Sequence, residues 1–169
     1  DIVMVDSRGI VSLDRTDMNP FKQVIAGITN KRKRSGGLDD ALSGADVLVG
    51  VSKGKTITPR HIRLMALHPI VFALANPLPE IMPDIARAAG AAVVATGRSD
   101  FPNQINNALG FPGIFRGALD HRVRTISDRM LLRAAQNLAA LVKRPTAEKI
   151  IPDPFDRRVV RAVADAVRP

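Results

Sequence analysis

The sequence predicts an α/β domain, in which a parallel sheet covered by helices is followed by a group of C-terminal helices. Four short apolar runs are bounded by Gly, Pro, Asp or Asn, and each is nearly continuous, as strands covered on both faces are. They occupy residues 2–5, 47–51, 70–75 and 91–95. Segments with helix signals separate the later runs, and strands that alternate with such helices indicate β-α-β crossovers.

The helices between the strands are predicted from their end signals. Thr58 precedes Pro59, which places an N-capping residue before a proline at the first helical position. A second helix is predicted over residues 83–89, where Gly90 supplies the left-handed residue that commonly follows a helix.

Beyond Asp100 the sequence predicts helices only. Two longer helices are predicted over residues 102–119 and 127–142, the second capped by Ser127, and a last helix begins at Asp156. Apolar residues at helical spacing mark the buried faces of the last two helices: Met130, Leu131, Ala134, Leu138 and Leu141 in one, Val159, Val163 and Val167 in the other. We therefore divide the domain into a β-α-β part, residues 1–100, and a helical part, residues 101–169.

The composition is that of one globular domain. The chain has 169 residues, of which 46% are hydrophobic and 24% charged, so it can bury a core. It has no Cys, which excludes disulfides, thiolate metal sites and cysteine nucleophiles. No apolar stretch reaches the roughly 18 to 20 residues that cross a bilayer, and the start lacks the basic region of a signal peptide. We expect a cytoplasmic protein without a membrane partner, and part of a longer chain.

The net charge is strongly positive, at +9, with 25 Lys and Arg against 16 Asp and Glu. Such a charge is typical of proteins that bind nucleic acid. The excess is spread along the chain except for KRKR at residues 31–34, and six Phe are the only large aromatic residues that could stack on bases. Turn-forming residues flank residues 31–34, so we interpret them as a solvated loop and do not expect nucleic acid as a partner.

Polar residues follow three of the predicted strands. Asp6 follows the first run, Gly50 and Ser52 end the second, and Asn76 follows the third. In open parallel sheets, ligands bind beyond the carboxyl ends of the strands, so these residues are binding candidates. An acidic residue placed like Asp6 accepts hydrogen bonds from ribose hydroxyls in dinucleotide-binding folds, but Asp is also a common turn former. Binding and simple loop roles stay open at all three places.

The densest polar cluster lies at the start of the helix predicted over residues 102–119. Pro102 would occupy the first helical position, and Asn103, Asn106 and Asn107 would then share one face. Three amides beside free backbone N–H groups at a helix N-terminus are suited to an anionic ligand. The alternative, which the residue types alone favour, is that the amides cap the helix and satisfy buried backbone groups.

Several common catalytic signatures do not occur. His61, His68 and His121 are scattered without metal-ligand spacing, and there is no paired-carboxylate motif, so no metal site is predicted. Neither a Gly-x-Ser-x-Gly elbow nor a Walker loop occurs, which argues against the corresponding hydrolases and nucleoside triphosphatases.

Taken together, several segments resemble the C-terminal half of the NAD(P)-binding domain of malic enzymes of the small bacterial type. The resemblance covers essentially the whole chain and is most specific between residues 95 and 114. The matching segments are VDSRG at 5–9, GADVLVGVS at 44–52, FALANPLPEI at 72–81, ATGRSD at 95–100, PNQINN at 102–107, FPGI at 111–114 and IPDPFD at 151–156.

The resemblance implies a partial Rossmann-like sheet, because the first strand and the Gly-rich pyrophosphate loop of the family lie upstream. It implies oxidative decarboxylation of malate to pyruvate and CO2 with reduction of NAD or NADP, assisted by Mg2+ or Mn2+. The implied cofactor-binding residues are Asp6, at the adenosine ribose, and Val51, Ser52, Leu74, Asn76 and Gly97. The implied substrate-binding residues are Asn76 and Asn107.

The catalytic residues of the family lie outside the matched region. The family uses a Tyr as general acid, a Lys as general base and carboxylates as metal ligands, and this chain has no Tyr. We therefore assign no catalytic and no metal-binding residue here, place the cation outside this chain, and expect no turnover by the chain alone. Asp6 favours the free ribose hydroxyl of NAD, whereas Arg8 could pair with the 2′-phosphate of NADP, so the cofactor preference stays open.

The missing first strand affects how the domain is completed. In the usual strand order 3-2-1-4-5-6 that strand joins the two halves of the sheet, so two open edges remain without it. We expect the isolated chain to be unstable or to be completed by another chain. The expected partners are malate and pyruvate, the remainder of the enzyme chain and further copies in a homo-oligomer. Two other functions stay open, a non-catalytic subunit-interface domain and a basic nucleic-acid-binding module.

Overall fold

The computed structural model describes residues 1–169 and has two separate sheets and seven α-helices. The strands are β1 (Val5–Asp6), β2 (Gly9–Ile10), β3 (Val47–Gly50), β4 (Ile70–Ala73) and β5 (Val93–Thr96). The helices are α1 (Pro20–Ile28), α2 (Leu38–Leu42), α3 (Pro59–Leu64), α4 (Pro83–Ala88), α5 (Phe111–Asp120), α6 (Asp128–Ala139) and α7 (Arg157–Ala164), and a 3-10 turn occupies Asn107–Leu109. None of the helices has the length and apolar character needed to cross a membrane.

The central sheet is three-stranded and parallel, in the order β3-β4-β5. Its middle strand is the best covered, with Val71 and Ala73 exposed by 0% and 1%, and it packs with Ile62 and Val94 in the main core. The apolar runs at 47–51, 70–75 and 91–95 therefore form the predicted parallel sheet, with ends that differ by at most two residues. The predicted α/β class is confirmed.

The first apolar run does not form a buried parallel strand, so that prediction is wrong. β1 starts only at Val5 and pairs antiparallel with β2, in a ribbon separate from the central sheet. The backbone of residues 2–5 instead bonds to residues that follow β2 and α1: the carbonyl of Met4 accepts from Val11 N at 2.8 Å and that of Ile2 from Asn30 N at 2.7 Å. An apolar run becomes a sheet strand only where a neighbouring strand offers backbone partners, and no strand of the central sheet lies beside this one.

β3 is an open edge of the central sheet. It pairs only with β4, and the side chains of Val47 and Val49 are 47% and 58% exposed. Apolar side chains on an unpaired edge strand are a place where another strand or chain can add.

The two helices that flank the sheet begin where the sequence predicts, and α4 ends one residue before its predicted end. Thr58 precedes α3, with Pro59 in its first turn. Pro83 opens α4, and Gly90, two residues beyond its end, has a φ of +115°. That backbone angle is favourable only for a residue without a Cβ, so Gly90 turns the chain toward β5.

Helices α1 and α2 are not predicted by the patterns above. Asn19 caps α1, because its Oδ1 accepts a hydrogen bond from Lys22 N at 2.9 Å. The basic segment 31–34 that follows is a loop, as predicted, and its first three side chains are exposed. Arg34 is the exception, since its guanidinium donates to the carbonyls of Ala41 and Ser43 at 3.2 and 2.7 Å.

The C-terminal helices pack on one another through small and β-branched residues. The predicted stripe of Val159, Val163 and Val167 on and just after α7 is fully buried, with exposures of 0%, 1% and 0%. α5 lies against this stripe at Gly117, where an added Cβ would lie 2.9 Å from the Val167 Cβ. Ser127 caps α6 by accepting from Met130 N at 3.4 Å. On α6 Met130 and Ala134 are buried as predicted, whereas Leu131 is 43% exposed.

The helix predicted over residues 102–119 is wrong at its start. The chain from 101 to 106 is irregular, and α5 begins only at Phe111. Asn103 has a φ of +59°, which lies outside the right-handed helical region and prevents a helix from starting at Pro102.

Candidate functional site

Three loops meet at one edge of the central sheet. They follow β3, β4 and β5, whose parallel direction brings their carboxyl ends to the same side. This is the edge at which open parallel sheets bind ligands. The predicted site residues after β3, β4 and β5 all come from these loops.

A buried carboxylate links the first two loops. Glu80 is 1% exposed, and its Oε1 accepts from Ser52 N at 2.9 Å while its Oε2 accepts from Ala75 N at 3.0 Å. Its own backbone carbonyl accepts from Ile57 N at 3.0 Å. The ends of β3 and β4 are thus tied together through one side chain. Glu80 is not among the residues predicted from the sequence, although an acidic residue between Pro79 and Ile81 in an otherwise apolar segment is a signal for a buried carboxylate.

A cleft of about 670 Å³ opens between the loops after β4 and β5, within the size range of small-molecule sites. It is lined by Leu74, Asn76, Gly97 and Asn107, so the structure brings four of the predicted site residues together. Arg98 and Asp100 also line it, and Arg98 donates to Asp100 through Nε and Nη2 at 2.8 and 2.7 Å. These bonds from Arg98 lower the pKa of the Asp100 carboxyl.

The three amides of the Asn cluster do not share a helix face, contrary to the interpretation as an anion site at a helix start. Asn103 is buried, and its Nδ2 donates to the carbonyls of Val94 and Ala147 at 3.1 and 2.8 Å. Its Oδ1 accepts from Ile150 N at 2.9 Å. Asn106 caps the 3-10 turn by accepting from Ala108 N at 2.9 Å. Asn103 and Asn106 therefore satisfy backbone groups, as the alternative holds. Asn107 is exposed and lines the cleft, and its side chain has no hydrogen-bond partner that would tie it to the backbone.

A second cleft, of about 600 Å³, lies at the β1-β2 ribbon and includes Asp6 and Arg8 among its lining residues. The Asp6 carboxylate accepts from Arg15 Nη1 and Nη2 at 3.0 and 3.2 Å, and from Lys22 Nζ at 2.5 Å. The backbone N–H of Arg8 donates to it at 2.9 Å. The bonds from Arg15, and after them those from Lys22, hold the pKa of the Asp6 carboxyl well below its usual range.

Arg8 is bound on the outside of this cleft by another carboxylate. Its Nη1 lies 2.6 Å from Asp17 Oδ2, and its side chain is 68% exposed. Arg15 also donates to Asp17, and these bonds, followed by those from Arg8, lower the pKa of the Asp17 carboxyl. Three cationic side chains and two carboxylates therefore form one network at the Asp6 cleft.

Val51 and Ser52 are the two predicted site residues that line neither of these clefts. Both are exposed, on the loop directly after β3. Ser52 is fixed through its backbone N–H, which Glu80 accepts. Their position beside the open edge of the sheet leaves their side chains accessible.

The donor set of this chain does not suit a metal ion. No group of three or more His, Asp or Glu side chains lies close enough together to hold one. His61 Nε2 instead lies 3.2 Å from Asp39 Oδ1, and His121 Nδ1 lies within hydrogen-bond distance of the carbonyls of Gly117 and Val167. We assign no chemical step to a metal held by these residues.

A parallel sheet with a ligand-sized cleft at its strand ends, and an acidic residue, Asp6, at the end of β1, define a Rossmann-type domain. The sequence profile of the family described as "Malic enzyme, NAD binding domain" matches residues 1–168. The chain belongs to the malic enzyme NAD-binding domain family.

Individual relatives agree with this assignment. The chain is 51% identical over 170 residues to the bifunctional malic/malolactic enzyme of Bacillus subtilis, covering 99% of this chain and 42% of that protein. It is 44% identical over 184 residues to the NADP-dependent malic enzyme of Halomonas elongata, covering 99% and 43%. The crystal structure of the NAD-dependent malic enzyme from Thermotoga maritima superposes with a TM-score of 0.92 at 48% identity, covering 98% of this chain and 44% of that one. The chain thus spans less than half the length of these relatives.

Proposed function

We propose that this chain supplies the cofactor-binding part of an enzyme that oxidatively decarboxylates malate to pyruvate and CO2 while reducing NAD or NADP. The observation that carries the proposal is the cleft between the loops after β4 and β5, where Asn76 and Asn107 lie together with Leu74 and Gly97. Family membership and the names of the relatives support the same reaction.

The residues at the strand ends fit the nicotinamide part of the cofactor. Leu74 offers an apolar surface for the ring, and the amide of Asn76 offers both a donor and an acceptor for a carboxamide. Gly97 leaves the rim open, because an added Cβ there would have only one neighbour within 4 Å, at 3.8 Å. We place Val51 and Ser52 along the same cofactor. When bound, NAD or NADP supplies the acceptor for the hydride that leaves malate.

The substrate is held by amides. The Nδ2 groups of Asn76 and Asn107 would donate to oxygen atoms of malate, which is a dianion, and such charge-assisted bonds are about twice as strong as neutral ones. Asn107 is exposed and first in the 3-10 turn, so its side chain is free to turn toward a ligand. These two side chains orient the substrate and carry out no proton transfer.

Asp6 would hold the adenosine ribose at the second cleft. Its carboxylate could accept from the two vicinal hydroxyls of NAD, in exchange for part of its present hydrogen bonding. Arg8 at the same cleft could bind the 2′-phosphate of NADP. The relatives named above include an NAD-dependent enzyme, from Thermotoga maritima, and an NADP-dependent one, from Halomonas elongata. We propose that this network of Asp6, Arg8 and their partners selects between NAD and NADP.

The chain alone should not turn over malate. It has no Tyr to act as general acid and no carboxylate cluster for the divalent cation, so acid, base and cation would come from residues outside it. The open edge of β3 offers a place for a strand from the rest of the protein. We propose residues 1–100 as the β-α-β part and 101–169 as the helical part, and a homo-oligomer for the complete enzyme.

The test is steady-state kinetics on the full-length protein that contains this chain, with Mg2+ present. Asn107→Ala should raise the KM for malate by about tenfold or more, because a hydrogen bond to a charged group is lost. Gln136→Ala, which removes an exposed amide on α6, is the matched control and should leave the KM for malate unchanged. Absence of malate-dependent NAD or NADP reduction by the unmodified protein would overturn the proposal.

A further inference from the structure

We propose that Glu80 is a positioning residue, whose carboxylate sets the relative placement of the loops after β3 and β4 and thereby of the cofactor and substrate contacts on them. This inference rests on the function proposed above. The carboxylate is buried and lies between two loops that carry four of the proposed contacts, Val51, Ser52, Leu74 and Asn76.

Glu80 joins the chain segments after β3 and β4 beyond the last backbone hydrogen bond between these two strands. The last backbone hydrogen bond between the two strands runs from Leu74 N to the Gly50 carbonyl at 3.0 Å. Beyond it, the N–H groups of Ser52 and Ala75 both donate to the Glu80 carboxylate instead, at 2.9 and 3.0 Å. One side chain thus continues the pairing of β3 and β4 past the end of the sheet.

Gly50 makes room for this carboxylate. A Cβ at residue 50 would lie 2.6 Å from the Glu80 Cδ and 2.7 Å from its Oε1, closer than real Cβ contacts come. We call the two hydrogen bonds from Ser52 N and Ala75 N to the Glu80 carboxylate the Glu80 bridge. The bridge depends on Glu80, which supplies the acceptors, and on Gly50, which lacks a side chain.

The burial of Glu80 excludes direct contact with a ligand. With 1% exposure and both oxygens bonded to backbone N–H groups, the carboxylate has no accessible surface to offer substrate or cofactor. It acts through Ser52 and Ala75, which adjoin Val51 and Asn76. A displacement of about 1 Å in such contacts is enough to lower the efficiency of an enzyme by about a hundredfold.

Two variants disturb the Glu80 bridge in different ways. Glu80→Gln keeps the size of the side chain but sets its NH2 group against one of the two backbone donors. Gly50→Ala keeps the carboxylate but pushes it away from Ser52. Glu148→Gln is the matched control, because Glu148 is an acidic side chain that is 56% exposed and pairs only with Arg87.

The measurement is the KM for NAD, NADP and malate together with kcat in the full-length protein, alongside its melting temperature. Both variants should raise the KM values by about tenfold, with a smaller change in kcat and a retained fold, and the control should match the unmodified protein. Gly50→Ala should have no added effect on the KM values in a Glu80→Ala background, because the three atoms nearest to the added Cβ all belong to the part of the Glu80 side chain that is removed.

The outcomes separate this inference from the proposed function. If the unmodified protein oxidises malate and a folded Glu80→Gln or Gly50→Ala variant keeps its KM values, the positioning role is wrong and the proposed function stands. Loss of folding in both variants would make Glu80 a stability residue and also overturn the inference. If the unmodified protein does not oxidise malate, the proposed function fails and this inference fails with it.

Discussion

Arg15 holds Asp6 in a bidentate ion pair, with Nη1 3.0 Å from Oδ1 and Nη2 3.2 Å from Oδ2. Lys22 and the backbone N–H of Arg8 donate to the same carboxylate. Because an ionised carboxylate has about four acceptor positions, a ligand hydroxyl reaches Asp6 by displacing one of these donors. Lys22 is the donor to displace, since its side chain is 37% exposed and that of Arg15 only 15%.

Asp6→Asn should destabilise the protein at neutral pH, and the effect should fade in acid. A carboxylate with a lowered folded-state pKa contributes stability above its unfolded pKa, about 3.9, and loses that contribution as pH falls toward the folded value. The difference in melting temperature between the unmodified protein and Asp6→Asn should therefore shrink below about pH 4. Asp14→Asn, an exposed carboxylate at the same cleft, is the control. A difference that stays constant down to about pH 2 would contradict the role of the ion pairs.

Arg8→Ala should weaken NADP binding more than NAD binding, by about fivefold or more. The guanidinium is 68% exposed and held only by Asp17, so it can turn to a 2′-phosphate, which NAD lacks. Isothermal titration of both cofactors into the full-length protein measures the ratio of dissociation constants. An unchanged ratio would remove Arg8 from cofactor selection.

Gly117→Ala should lower the free energy of unfolding by about 1 to 3 kcal/mol, as overpacking of a core does. An added methyl group there meets the Ala164 carbonyl and lies 2.9 Å from the Val167 Cβ, so α5 and α7 must separate. Gly27→Ala on α1 is the matched control, since nothing lies within 4 Å, and it should raise stability by about 0.5 to 1 kcal/mol. Urea unfolding of the full-length protein, followed by far-UV circular dichroism, measures the change in the free energy of unfolding for each variant. Equal effects of the two substitutions would contradict the close packing of α5 on α7.

Asn103→Ala should destabilise the fold by about 2 kcal/mol or more without changing the KM for malate. It leaves the carbonyls of Val94 and Ala147 and the N–H of Ile150 without their partner. Asn107→Ala should instead raise the KM for malate and leave the free energy of unfolding within about 0.5 kcal/mol of that of the unmodified protein. A raised KM in a stable Asn103→Ala variant would return this residue to the ligand site.

The sheet and its site edge were largely predictable from the sequence, because they depend on local patterns. Continuous apolar runs predict β3, β4 and β5, and the parallel arrangement brings Asn76 and Asn107 to one cleft. The prediction of a buried parallel strand at residues 2–5 is wrong, because an apolar pattern does not determine which strand lies beside it. In the structure this segment pairs only at Val5 and Asp6, and its partner is the antiparallel strand β2.

The remaining features depend on contacts between residues far apart in the chain. The role of Asn103 is decided by Ala147 and Ile150, more than forty residues away, and spacing on a helical wheel carries no information about them. Glu80 is similarly defined by Ser52, and Asp6 by Arg15 and Lys22. Helix α1 differs, because local signals for it are present in the sequence: Asn19 and Pro20 mark its start, and Phe21, Val24 and Ile28 have helical spacing. These apolar side chains face solvent in the structure, with exposures of 81%, 66% and 71%.

The most direct test of the account is isothermal titration of NAD and NADP into this chain, repeated after addition of a separately expressed upstream half with malate and Mg2+. Turnover is followed by the absorbance of the reduced cofactor. We expect this chain to bind the cofactor, and we expect turnover only in the mixture. This result would establish the chain as the cofactor-binding part of a malate-oxidising enzyme. A correctly folded chain that binds neither cofactor and gives no activity in the mixture would contradict the account and favour a non-catalytic interface domain.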